Sequence, residues 1–214
     1  MKTGRWVEIS LQELVDVYAE SKGLAIPKTG LRFFFQQDAV GILLPEPSGP
    51  PPIEELIAED FARLILKKEE GEKYEVYPDS EGYKTAGIGH LITKDDVASN
   101  PLLDRVGTRV GVNQVKSWFN EDFGVAWRAA VSWIGVEVFN SLSPLRQALI
   151  VCKAFQLGGD GIKAFEETLA HLKSGEFDDV ADHWLGSKWA RQTPNRVARM
   201  AQMMRTGILD AYYK

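Results

Sequence analysis

The sequence predicts an α+β domain: one helix, a small antiparallel sheet and then a helical lobe, preceded by a small strand–helix–hairpin module. Three observations predict it. Ile53, Leu56, Ile57, Leu64 and Ile65 recur at helical spacing, and Gly71 stops the run. The next stretch, Lys73 to His90, is rich in Tyr, Gly and β-branched residues and reads as a small hairpin sheet. From Thr93 onward the pattern is helical.

Taken in order, the chain begins with Trp6 to Ile9, which reads as a strand. Ser10 is placed to cap a helix over Leu11 to Ala19, with Glu13 completing a capping box. Leu31 to Gln36 and Val40 to Leu44 flank a short turn at Gln37–Asp38 and predict a hairpin. Pro45 and Pro47 to Pro52 form a proline cluster that cannot continue a helix or a central strand. The cluster divides a module of residues 1–50 from a larger domain of residues 51–214. Fifty residues make a marginal core, so the module is expected to lean on the domain behind it. Its charge is near balance, with five basic and six acidic residues up to Pro52, while Trp6 and Phe33-Phe34-Phe35 supply much aromatic surface.

In the larger domain, Thr93 with Asp96, Asn113, Ser143-Pro144 and Thr193-Pro194 all mark helix starts. Gly158, Gly175 and Gly207 mark stops. There is no internal repeat.

Bulk properties narrow the function. The 214 residues carry 44% hydrophobic and 26% charged residues, an ordinary globular balance. A formal charge of −5 argues against nucleic-acid binding and against general attraction to an anionic wall. The one cysteine, Cys152, sits in an apolar run and reads as a small buried hydrophobe. His90, His171 and His183 share no ligand spacing, so no metal and no cofactor are expected. No stretch approaches a membrane span, and the N-terminus lacks the apolar run of a signal peptide. A monomer made in the cytoplasm is expected.

Chemistry concentrates in Glu69 to His90. A carboxylate, Glu70, ends the first helix; Asp79 follows in the hairpin and Thr85 after it. Cleavage of a glycosidic bond with inversion needs an acid on the leaving oxygen and a second group directing water to the opposite face of the sugar. Asp79 and Thr85 could hold that water, since a carboxylate accepts and a hydroxyl both donates and accepts. By spacing alone the ordinary alternatives stand beside this: Glu70 as a solvated helix end, and Asp79 as a turn former before Ser-Glu-Gly.

The run resembles the phage-type lysozymes, the glycoside hydrolase family that includes the T-even phage enzyme. Their Glu-Gly, then Tyr-x-Asp-x-Glu-Gly-Tyr-x-Thr-x-Gly-Ile-Gly-His, appears as Glu70-Gly71, then Tyr77 to His90. Phe155-Gln156-Leu157-Gly158, Trp189 with Gln192-Thr193-Pro194-Asn195-Arg196, and Arg205-Thr206-Gly207 with Asp210-Ala211-Tyr212 resemble three further family motifs in the same order. Together they cover about residues 60–213 and imply a lysozyme-like fold.

The resemblance implies that Glu70 is the general acid and that Asp79 and Thr85 direct the water. It implies supporting roles for His90 with Asp122, and for Arg196 beside the acid. Leu91 and Phe155 match cleft positions that touch substrate. Thr168 and His183 fall at substrate positions too, but depart from the family's usual serine and asparagine. Lys188 stands where an arginine can reach toward Glu81, and a lysine gives a weaker, non-bidentate clasp.

The activity so implied is muramidase action on bacterial peptidoglycan, cutting between N-acetylmuramic acid and N-acetylglucosamine. The implied setting is a phage endolysin released from the host cytoplasm by a separately encoded holin. A virion-borne lysozyme is the second setting, its N-terminal module docking a phage or wall partner. Two other classes differ in their needs. A wall-binding protein without catalysis would have lost Glu70 or Asp79, and a lytic transglycosylase requires neither Asp79 nor Thr85.

Overall fold

The computed structural model describes residues 56–214 apart from Ser80, together with the backbone of a hairpin formed by 32–36 and 39–43. The chain separates into two compact units, Met1–Pro52 and Ile53–Lys214. In the first, β1 (Arg32–Gln36) pairs antiparallel with β2 (Ala39–Leu43), Arg32 opposite Leu43 and Gln36 opposite Ala39. The hairpin thus stands within a residue of its expected bounds. The expected strand Trp6–Ile9 and helix Leu11–Ala19 lie outside the described residues.

The second unit opens with α1 (Ala58–Glu70). Its buried residues, Ala58, Phe61, Ala62, Ile65 and Leu66, follow the i, i+3, i+4, i+7, i+8 rule of an amphipathic helix. Ile57 and Leu64, which belong to the apolar run in the sequence, are 60% and 37% exposed. Ile57 precedes the helix because the Asp60 carboxylate accepts its amide (3.1 Å) and closes the first turn there. Gly71 ends α1 at φ +70°, where an L side chain is strained.

A three-stranded antiparallel sheet follows: β3 (Lys73–Pro78), β4 (Lys84–Gly87) and β5 (His90–Leu91), in that spatial order. Tyr77 lies opposite Thr85, and Thr85 opposite Leu91, so the three form one row across the sheet.

The helical lobe comprises α2 (Lys94–Ser99), α3 (Val112–Ile134), α4 (Val136–Ser141), α5 (Pro144–Lys163), α6 (Glu166–Ser174), α7 (Phe177–Gly186), α8 (Lys188–Gln192) and α9 (Pro194–Thr206). Thr93 caps α2 in a capping box with Asp96, and the prolines at 144 and 194 open α5 and α9. Gly175 and Gly207 close α6 and α9 in the left-handed conformation. One boundary differs from the sequence reading. α3 starts at Val112, one residue before Asn113, and is capped by Gly111. At Gly158 the backbone leaves helical geometry (φ 71°, ψ 170°), so one helical segment stops there as expected and a second follows at once across a kink, within the span Pro144–Lys163.

α5 is the core helix. Ala148, Leu149, Ile150 and Val151 are all completely buried, and α1 and α3 pack against it. Truncating such a side chain to alanine typically costs about 2–5 kcal/mol. No described helix is long and apolar enough to cross a membrane.

Candidate active site

Glu70 is the last residue of α1. Its Oε1 accepts Arg196 Nη1 from α9 at 2.6 Å, and its side chain is 20% exposed. On its other side the chain passes close by: a Cβ at Gly89 would sit 3.3 Å from Glu70 Oε2. Gly89 has φ +72°, so glycine satisfies both the turn and the close approach.

Arg196 is shared. Its Nε reaches Glu69 Oε2 (3.2 Å), its Nη2 the Glu69 carbonyl (3.0 Å). Arg199 donates to Glu69 Oε1 through Nη2 (2.6 Å), and the Tyr213 hydroxyl donates to the same oxygen. Burial opposes the charge on Glu69, but Tyr213, Arg199 and Arg196 outweigh it and hold its pKa below the usual range. Two carboxylates and two guanidiniums thus form a neutral network at the end of α1. The sequence led only to the Glu70–Arg196 part. Nothing in Lys67-Lys68-Glu69-Glu70 distinguishes the buried carboxylate at 69 from a solvated one.

Asp79 sits past the end of β3. Its Oδ1 accepts the amides of Glu81 (2.9 Å) and Tyr83 (2.8 Å), so it shapes the β3–β4 turn as its sequence context suggests. Turn-making and chemistry are not exclusive, because a carboxylate has a second oxygen. Thr85, on β4, is 5% exposed, and its hydroxyl donates a long bond (3.2 Å) to the Tyr83 carbonyl, keeping its acceptor sites. Burial first, then the charges of Glu70 and Asp79, push the phenol pKa of Tyr77 up. Tyr77 lies directly opposite Thr85.

His90 begins β5 and is 8% exposed. Its Nδ1 lies 2.7 Å from Asp122 Oδ2 on α3, and its Nε2 lies 3.2 Å from Asp96 Oδ2 on α2. Only a doubly protonated ring donates to both. Burial opposes that charge, but Asp122 and then Asp96 prevail and raise the pKa. The ring also stacks on Trp118 at 4.3 Å, whose Nε1 donates to Asp96 Oδ1 (3.0 Å). Asp122 accords with the sequence reading. Asp96 was legible only as the α2 cap, a role it also fills by accepting the Thr93 amide (2.8 Å).

Leu91 (51% exposed) and Phe155 share a cavity of about 240 Å³ with His90, Asp122 and Gly158. Behind Phe155, Gln156 Oε1 accepts Trp189 Nε1 (2.7 Å) and Gln156 Nε2 approaches the Thr193 hydroxyl (3.4 Å), which joins two of the sequence motifs. Thr168 is different. It is completely buried in α6, so its hydroxyl presents no surface to a sugar, and the structure does not bring it into this group. His183 lies on α7 and lines another cavity of about 800 Å³ with Glu167, His171, Asp179 and Lys188. Lys188 and Glu81 form no ion pair. Cys152 is buried, its thiol facing the Ala62 carbonyl (3.6 Å) and its pKa pushed up by burial.

His171 and His183, unrelated by spacing, are brought together by folding, with ring centroids 6.0 Å apart. Among the described residues, His171, Glu176 and Asp179 form a group able to hold a metal ion.

No family profile matches the chain. Curated relatives do. The chain is 32% identical over 162 residues to probable T4-type lysozyme 1 of Dictyostelium discoideum, covering 69% of this chain and 95% of that protein. It is 27% identical over 178 residues to the pre-baseplate central spike protein Gp5 of Enterobacteria phage T4, covering 75% of this chain and 31% of that protein. It is 28% identical over 145 residues to peptidoglycan hydrolase gp36 of Pseudomonas phage phiKMV, covering 66% of this chain and 15% of that protein. Near-complete coverage of a whole lysozyme, at this identity and on this α+β framework, shows that the chain belongs to the T4-type lysozyme family and is a glycoside hydrolase.

Proposed function

We propose that the protein degrades bacterial peptidoglycan as an inverting N-acetylmuramidase. The observation that carries this is the placement of Glu70 at the end of α1, one oxygen held by Arg196 and the other beside Gly89, with Asp79 in the β3–β4 turn and Thr85 on β4. In this reading Glu70 gives its proton to the glycosidic oxygen, and the bond to the anomeric carbon of N-acetylmuramic acid breaks. Water held by Asp79 and Thr85 attacks that carbon from the opposite face and passes a proton to Asp79. Arg196 anchors Glu70 through one oxygen and so fixes the direction of the other. Leu91 and Phe155 flank the sugar, and His90 with Asp122 holds the sheet to the helices.

Digestion of purified peptidoglycan tests it. The expected products carry a reducing N-acetylmuramic acid released as the α-anomer, seen by NMR before mutarotation. A β-anomer would mean retention, and a 1,6-anhydro end would mean a transglycosylase. A folded Glu70→Gln variant should release nothing.

The setting proposed is phage lysis, with the enzyme acting on the wall after a holin admits it; the similarity to two phage proteins supports it. Similarity to a baseplate spike protein supports a second reading, a lysozyme carried on the virion. Residues 1–50 would then dock a phage or wall partner. Comparing virion and wall association of the full chain and residues 53–214 separates the two settings.

A further inference from the structure

We propose that α6 and α7 carry a site for one divalent ion of the zinc class, built from His171, Asp179, Glu176 and His183 and separate from the glycosidase group. The geometry comes from two helices joined by a tight turn. On α6, Glu167 and His171 stand four residues apart; on α7, Asp179 and His183 do the same. An i, i+4 pair shares one helix face. Gly175 at φ +74° reverses the chain, and the Glu176 amide closes the turn on the His171 carbonyl (2.9 Å). The two pairs therefore face each other.

Distances agree with that placement. Glu176 Oε2 lies 2.7 Å from His171 Nδ1, and the ligand atoms of His171, Glu176 and Asp179 all lie within 4.8 Å of one another. Ligands around a tetrahedral zinc, bonded at about 2.0–2.2 Å, need only small rotations from such a group. His183 is the second imidazole, 6.0 Å away between ring centroids, and pairs with Glu167. Four of these five residues, all but Glu176, line the cavity of about 800 Å³.

Charge and donor type choose the ion. Glu167, Glu176 and Asp179 bring three negative charges beside two imidazoles. Asp182, on the same cavity, is already held by Arg205 Nη2 (2.5 Å). Imidazole nitrogen with carboxylate oxygen suits Zn²⁺ or Co²⁺, whereas Ca²⁺ and Mg²⁺ call for shells of oxygen. Bound there, the ion would clip α6 to α7.

The test uses the full chain and Zn²⁺, followed by calorimetric titration and thermal melting, with Co²⁺ as an absorbing probe. The expected result is one Zn²⁺ per chain, a rise in melting temperature on adding it, and Co²⁺ visible bands of four-coordinate strength. His171→Gln should abolish saturable binding, and His183→Gln should weaken it at least about tenfold. Both side chains are partly exposed, and circular dichroism confirms that the variants fold. Absence of saturable Zn²⁺ binding would overturn the site. So would binding that His171→Gln leaves unchanged, or Mg²⁺ binding as tight as Zn²⁺.

Discussion

Replacing Lys153 by methionine should stabilise the protein, and by more in acid than in alkali. Lys153 lies in the middle of α5 and is completely buried. Its Nζ sits 3.2 Å from the ring centroid of Phe165, 4.9 Å from Trp184, 5.4 Å from Trp189 and 5.7 Å from Trp133. It finds no hydrogen-bond partner among the described residues, and neither do Trp184 Nε1 or Thr168 Oγ1. Ring faces attract an ammonium by about 2 kcal/mol when desolvated. Burial outweighs them and pushes the Lys153 pKa well below the ordinary lysine value.

The sign follows from proton counting. Between the folded pKa of Lys153 and about 10.5, the unfolded chain holds a proton that the folded one lacks. Stability therefore falls by about 1.4 kcal/mol per pH unit as acid is added through that window, and the slope vanishes below it. Methionine matches the unbranched stem, packs its sulfur against aromatic edges and carries no proton. It also removes an unsatisfied buried amine, worth about 1–3 kcal/mol at any pH. Urea unfolding of both proteins at pH 5, 7 and 9 measures the difference, in which all other titrating groups cancel. A Lys153→Met gain that is flat with pH, or a loss at pH 5, would refute the reasoning.

Three further changes test other parts of the structure. Asp122→Asn removes one of the carboxylates that raise the His90 pKa. That stabilisation is full below the unfolded pKa of about 6.5 and lost as pH rises through the folded value. The variant should thus lose more stability at pH 6 than at pH 10, by chemical denaturation; equal losses would count against the pair. Glu69→Gln leaves Arg196 and Arg199 short of an anion and should cost about 3 kcal/mol, read from the denaturation midpoint, with the loss shrinking as pH falls below the carboxylate range. Thr85→Glu puts a carboxylate on the row opposite Tyr77. It should trap a sugar on the enzyme as a mass adduct and slow lysis by about 10²-fold or more; wild-type lysis without an adduct would exclude the proposed water position.

What could be read from the sequence divides along a physical line. Features set by a residue and its near neighbours were legible. Thr93 caps a helix because Asp96 is three residues on; Gly71, Gly175 and Gly207 end helices because they adopt backbone angles other residues resist; the hairpin at 32–43 follows from two apolar runs flanking a short turn. Gly158 shows the limit. A positive φ is a local property, but whether helix resumes afterwards depends on what the next turn packs against, and Ile162 is completely buried. The apolar run before Gly71 misled for the same reason: Leu64 and Ile57 fit the period only loosely, and the face that Phe61 and Leu66 complete is the one α5 covers.

The site divides in the same way. Glu70, Asp79 and Thr85 came from a contiguous motif. Asp79 and Thr85 are held by near neighbours, but the partners that fix the end of α1 come from far along the chain: Arg196, Arg199 and Tyr213 reach Glu69 and Glu70 across more than a hundred residues. A long-range network of this kind has no sequence period, because each member needs only the right charge at the right end of its own helix. That explains why Glu69, the more buried carboxylate of the pair at 8% against 20% side-chain exposure, reads in the sequence as ordinary solvated charge. It also assigns the two adjacent residues different work. Glu69 binds two arginines and a tyrosine and holds the last turn of α1 in place; Glu70, with a single arginine on one oxygen, keeps the other oxygen directed toward the turn at Gly89. A positioned carboxylate with one oxygen uncommitted is what proton donation to a sugar oxygen requires, and the neighbour's saturated network is what allows it to stay so.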